Sequence, residues 1–125
     1  MQFVSTDHPA PADALVLANT DDVLAQAAAV HAASVVVLQF PKWTDGRAYS
    51  QAVLLRGRLR YTGEIRATGD VVVDMLPLLR RCGFDAVQLR ADQNPETALR
   101  TLGFIPAHYQ GDITGNRPVF ARQAA

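Results

Sequence analysis

Apolar residues in this chain fall into short runs separated by polar turns, and two kinds of run alternate. Ala14 to Ala18 is a short apolar run closed by Asn19. Asp21 and Asp22 then stand where they cap a helix that turns Val23, Leu24, Ala27 and Val30 inward. Val35 to Phe40 is rich in β-branched residues and shows no alternation, the pattern of a parallel strand covered on both faces. After a loop from Pro41 to Arg47, Ala52, Leu55 and Leu59 recur at helical spacing, Arg56, Arg58 and Arg60 fall largely elsewhere, and Thr62-Gly63 stops the element. Glu64 to Thr68 reads as a third strand. Gly69-Asp70 leads into a helix expected over Val71 to Cys82, with Leu76, Leu79 and Cys82 inward and Gly83 as a left-handed cap. The triplet Val71-Val72-Val73 weakens the start of that helix, and Pro77 is placed to bend it. Ala86 to Leu89 makes a fourth strand. Asn94-Pro95 opens a last helix through Leu102, with Gly103 at its end.

Strand and helix segments of this length, joined by short turns, imply parallel strands with right-handed crossovers. The expected fold is α/β, with a small, mostly parallel four-stranded sheet built from β-α units. An open sheet with helices on both faces is the favoured arrangement, and a half-barrel is the alternative, since four units are half of a (β/α) barrel. Either leaves two strand edges to cover, by dimerisation into a homo-oligomer or by the tail from Phe104 to Ala125. The 125 residues are read as one domain, with 1–12 a flexible lead-in and 111–125 an irregular tail.

Composition narrows the function classes. With 49% hydrophobic and 19% charged residues, the chain fits one soluble domain with a modest core. Twelve basic and twelve acidic side chains cancel, so no global field draws in nucleic acid or an anionic membrane, and any anion selectivity is local. The first residues lack the pattern of a signal peptide, and no apolar run nears the roughly 20 residues of a membrane span. A cytoplasmic location follows as the expectation. The single cysteine, Cys82, excludes an internal disulfide or a multi-cysteine metal or iron–sulfur site, and its helical position suggests a buried structural role. His8, His31 and His108 are too widely spaced to mark a metal site, and His31 is expected near the end of a helix. No strand-to-helix turn carries a Gly-x-Gly-x-x-Gly fingerprint, so the residues identify no cofactor.

The candidate chemistry gathers in the loops that leave the strands, because the carboxyl ends of parallel strands open onto a ligand crevice. If the strands are parallel, Lys42, Asp45 and Arg47, Thr68 and Asp70, and Arg90 and Asp92 share one edge of the sheet. Lys42, Arg47, Thr68 and Arg90 then suit an oxyanion, since the arginine fork matches sulfite, sulfate, phosphate or a sulfonucleotide. Asp45 and Asp70 are the candidates for acid–base catalysis in a small enzyme acting on an anionic substrate. The plainer roles are helix capping for the two aspartates and exposed salt bridges for Lys42, Arg47 and Arg90. Arg56, Arg58, Arg60, Arg80 and Arg81 are read as solvated helix faces, and Tyr49 and Tyr61 as packing residues.

Three blocks also carry a resemblance: Phe40 to Ser50 (FPKWTDGRAYS), Tyr61 to Val71 (YTGEIRATGDV) and Leu79 to Asp85 (LRRCGFD). In this order they resemble a bacterial family of unknown function whose members carry the label of oxidoreductases of sulfite reduction. The similarity covers about residues 35 to 110 and ends at Ala107-His108-Tyr109-Gln110. Trp43 stands where a smaller aromatic is common in the family, and the tail beyond Gln110 is a further departure. The resemblance implies a place in assimilatory sulfate and sulfite reduction, with sulfite reductase or the sulfonucleotide reductase as partner. It implies association more firmly than catalysis, so the expected function is an accessory protein or, by the resemblance alone, an oxidoreductase of that pathway, with a small enzyme acting on another anionic substrate or a non-catalytic interaction module as alternatives.

Overall fold

The computed structural model describes residues 1–4, 10–94, 96, 97 and 100. Its elements are β1 (Gln2–Phe3), β2 (Leu15–Leu17), α1 (Ala27–Ala32), β3 (Val35–Phe40), α2 (Arg47–Gly57), β4 (Glu64–Gly69), α3 (Leu76–Cys82) and β5 (Ala86–Val87). Short 3-10 turns, Leu24–Gln26 and Val73–Met75, precede α1 and α3.

The strands form one sheet in the order β1-β5-β4-β3-β2, with every pairing parallel. The sheet therefore has five strands where four were expected. The extra strand is β1, inside the segment read as a lead-in. Its register sets Gln2 opposite Ala86 and Phe3 opposite Val87, and the Gln2 and Val4 amides donate to Asp85 and Val87 oxygens at 2.8 Å. Two residues are too few to show a strand period, so only the partner strand defines this one.

From β2 to β5 the chain steps one strand at a time in one direction. With right-handed crossovers, that progression puts all the connecting helices on one face. The core agrees: Leu17, Val36, Leu38, Phe40, Ile65, Ala67 and Val87 cluster with Val30 of α1, Ala48, Ala52 and Leu55 of α2, and Leu76 and Leu79 of α3. Arg66 and Thr68 alternate with these positions and lie on the opposite face, where Arg66 pairs with Glu64 at 2.8 Å. The half-barrel progression is thus the one adopted, and the described helices do not sit on both faces.

The helix starts follow local chemistry. Asp22 Oδ1 accepts the Leu24 amide at 3.0 Å, while Asp21 turns back to the Ala18 amide at 2.8 Å. Val72 stays extended (φ −115°, ψ 160°), so α3 begins five residues later than expected, with Pro77 in its first turn. The β-branched residues resist the helix, and proline fits where no amide is needed. Gly83 is left-handed (φ 110°) and closes α3 with the bond pair of a Schellman cap, Gly83 N to Arg80 O and Phe84 N to Leu79 O. The expected Ala86 to Leu89 strand is shorter, Ala86–Val87. Of the helix expected from Asn94 to Leu102, the start is visible: Asn94 Oδ1 accepts the Glu96 amide at 2.8 Å. Glu96, Thr97 and Arg100 are helical, and the other residues of that segment past Asn94, His8 and the tail lie outside the described residues. No helix among the described residues is long and apolar enough to cross a membrane.

Candidate functional site

Four loops meet at the carboxyl ends of the strands, each following β2, β3, β4 or β5. Gly69 sets the geometry. It has φ 98°, and a Cβ there would fall 2.4 Å from the Phe40 oxygen. This close approach lets the Asp70 amide donate to Phe40 O at 2.8 Å, which places the Asp70 carboxylate under the β3 loop. Asp70 Oδ2 accepts the Trp43 backbone amide at 2.8 Å, and Asp70 Oδ1 accepts Arg90 Nη1 at 2.7 Å. Arg90 also grips Asp92, with Nε to Oδ1 at 2.7 Å and Nη2 to Oδ2 at 2.9 Å. Asp70 therefore ties three loops together and does not cap its own helix.

Asp45 forms the second knot. Its Oδ1 accepts the Arg47 amide at 3.1 Å, just ahead of the first turn of α2, and lies 3.5 Å from Arg47 Nε. Its Oδ2 accepts Asn19 Nδ2 at 2.8 Å. Buried Gln51 donates to the oxygens of Ala18 and Asp21 at 2.9 and 3.0 Å and fixes the β2 loop against α2. Its Oε1 has no partner among the described residues, so this pocket of the edge asks for a hydrogen-bond donor. Asn19 and Gln51 carried no signal in the sequence, because a polar residue beside a strand reads as a turn or a helix surface.

The structure brings Asp45, Asp70, Arg47 and Arg90 to one edge. Lys42 is exposed on the same β3 loop, and Thr68 departs to the sheet face away from the helices. Both arginines are already bound to carboxylates, so an incoming anion competes with Asp45, Asp70 and Asp92. The electrostatics follow from the bonds. The Arg47 amide, helped by Asn19, holds Asp45 below the usual carboxylate range against the effect of burial. Arg90 and then the Trp43 amide do the same for Asp70. Arg90 holds Asp92 down to about 2, and the two aspartates push the Arg90 guanidinium up in turn. Carboxylates stabilised in the charged form are weak bases and do not donate protons near neutrality.

Removing Arg90 tests this coupling. In Arg90→Gln, Asp70 and Asp92 rise toward the ordinary carboxylate value of about 4. A carboxyl depressed by folding adds stability above its unfolded pKa and loses it as pH falls through the folded value. The wild type therefore loses Asp92's contribution between about pH 4 and its folded value of about 2. The variant shows a shallower fall over that window, read by urea unfolding at stepped pH and by carboxyl NMR titration.

The other candidates take part in packing contacts. Cys82 is half-buried, and desolvation pushes its thiol up, away from a reactive thiolate. His31 sits in the last turn of α1 with its ring edge toward Tyr61. Tyr49 packs against Phe40 with ring centres 5.1 Å apart, and Tyr61 Oη donates to Ala33 O at 2.9 Å. No group of three or more His, Cys, Asp and Glu suited to a metal ion occurs among the described residues.

One feature of the edge faces outward: the Trp43 side chain is 54% exposed although its backbone is tied down by Asp70. A family model for bacterial proteins of unknown function, DUF934, matches residues 14–120. The chain belongs to the DUF934 family. No curated protein and no solved structure matches it. The DUF934 match takes in β2 to β5 and every strand-end residue named above, and leaves β1 outside.

Proposed function

We propose that this DUF934 protein is a non-catalytic accessory of sulfite reduction that docks on a reductase, sulfite reductase or the sulfonucleotide reductase, through the edge bearing Trp43. The observation that carries the reading is an exposed tryptophan on a loop held by the Asp70–Arg90–Asp92 ion-pair chain. An aromatic on a fixed backbone loses less entropy on binding than one on an untethered loop, and a polar rim around an aromatic anchor is the usual anatomy of a binding hot spot. The link to sulfur assimilation rests on the three-block resemblance. A catalytic role for Asp45 or Asp70 finds less support, since both are held ionised and their oxygens are occupied by amides and arginine.

Affinity purification of the tagged chain from cells growing on sulfate tests the proposal. The expected result is recovery of one of the two reductases, weakened at least about 10-fold by Trp43→Ala, the loss typical of an aromatic anchor. Recovery of neither reductase, with normal growth of a deletion strain on sulfate and on sulfite, would refute it.

A further inference from the structure

At the opposite end of the sheet the charge has the other sign. Helices α2 and α3 both finish there, and their ends abut: the Arg56 guanidinium donates to the Gly83 oxygen through Nε and Nη2 at 3.1 and 2.9 Å. Arg58 and Arg60, just past α2, therefore lie at the same end of the sheet as Arg80 and Arg81 in the last turn of α3. All four are exposed. The carboxylates of this end are engaged elsewhere, Asp85 by Arg56, Asp13 by Ser34 and Glu64 by Arg66. Arg58, Arg60 and Arg81 take part in none of the ion pairs formed among the described residues.

The backbone supplies an independent observation. Arg60 has φ 56° and is the non-glycine residue with positive φ among the described residues. It holds a left-handed position two residues past Arg58, the C-cap of α2, in the turn where the Tyr61 amide returns to Leu55 O at 2.9 Å. Glycine or asparagine is the usual occupant of that position, and a long side chain there raises the energy of the fold. Among the described residues no ion pair of the Arg60 side chain offsets that cost, and the side chain is exposed.

We propose that Arg58, Arg60, Arg80 and Arg81 form a docking surface for an acidic patch on a folded protein partner, at the end of the sheet away from Trp43. The chain is neutral overall, and at its other end the carboxylates Asp21, Asp22, Asp45, Asp70 and Asp92 outnumber Lys42, Arg47 and Arg90. A compact acidic patch meets only the arginine end, whereas an extended polyanion such as nucleic acid also meets the acidic one. The surface is independent of the Trp43 edge and gives the protein two poles by which it bridges two proteins.

The probe is a fluorescent oligoglutamate peptide titrated with the whole chain at low salt, with a duplex DNA oligonucleotide alongside. The wild type is expected to bind the peptide in preference to DNA. The triple reversal Arg58→Glu, Arg60→Glu, Arg81→Glu weakens peptide binding at least about 10-fold through like-charge contact, and Trp43→Ala leaves it unchanged. Arg60→Gly separates the conformational cost from the function: it raises the thermal midpoint by about 3–6 °C and weakens peptide binding. The proposal is overturned if the wild type does not bind the peptide, if it prefers DNA, or if the triple variant binds like the wild type. It is equally overturned if Arg60→Gly stabilises the fold with binding intact. Because Trp43 has no part in these readouts, failure here leaves the reductase-docking reading to its own test.

Discussion

Arg56→Ala lowers the free energy of unfolding by about 3 kcal/mol, the scale of several lost hydrogen bonds to a charged group offset by water. The guanidinium donates to the oxygens of Tyr61 and Gly63 at 2.8 Å each, to Gly83 through two nitrogens, and to the Asp85 carboxylate. Asp85 in turn accepts the Ile65 amide at 3.0 Å, at the start of β4. Arg56 therefore joins the end of α2, the entry to β4 and the cap of α3. The carbonyls it serves lie in connections, outside any strand ladder, so no backbone donor replaces it. The side chains of Arg56 and Asp85 are 26% and 38% exposed, so solvent reaches the broken pair and limits the loss. Arg56→Lys keeps the charge but cannot span the separate carbonyls with one ammonium, and it loses about 2 kcal/mol. Urea unfolding measures both. A loss below about 1 kcal/mol for Arg56→Ala would reduce this knot to an ordinary surface pair.

Gly69→Ala is expected to cost at least about 3 kcal/mol, since it combines a disallowed backbone angle with a collision. At φ 98° an alanine is strained whatever the space, and its Cβ would also lie 2.4 Å from the Phe40 oxygen and 3.2 Å from the Phe40 nitrogen. Those contacts are backbone, which no rotamer change relieves. Relaxation must part the ends of β3 and β4, which breaks the bond from Asp70 N to Phe40 O and loosens Asp70 beneath Trp43. The variant therefore has a second signature beyond lower stability: the Trp43 amide, which donates to Asp70 Oδ2, exchanges with solvent faster relative to amides in the middle of β3. Wild-type stability, or an unchanged Trp43 exchange rate in a destabilised fold, would show that Gly69 does not position the edge.

Several elements were legible because their signal is local. The run Val35 to Phe40 has no alternation and enters the sheet with the bounds expected. Gly83 follows a helix with two basic residues in its last turn, and only glycine takes that cap angle without cost. The gathering of Asp45, Arg47, Asp70 and Arg90 was legible too, since parallel strands deliver their following loops to one edge. The partners within that edge were not. Asp70 reads as a cap from its place before a helix, yet its carboxylate crosses to the β3 loop because Gly69 turns the chain toward Phe40. Arg56 reads as solvated from helical spacing, and no nearby residue announces the three carbonyls that meet around it.

Periodicity, β-branched runs and glycine or proline punctuation were enough to establish a parallel α/β protein with its loops of mixed charge at one end, because each is a short-range steric or solvation effect. Tertiary structure alone decided that β1 adds a fifth strand beside β5, that the described helices share one face, and which donor each carboxylate holds. The strand pairing and the bonds that join separate loops depend on contacts between residues 20 or more positions apart, such as Arg56 with Asp85 and Arg90 with Asp70. Their energies arise only once the sheet has brought distant loops to hydrogen-bonding distance, and no local pattern encodes that distance.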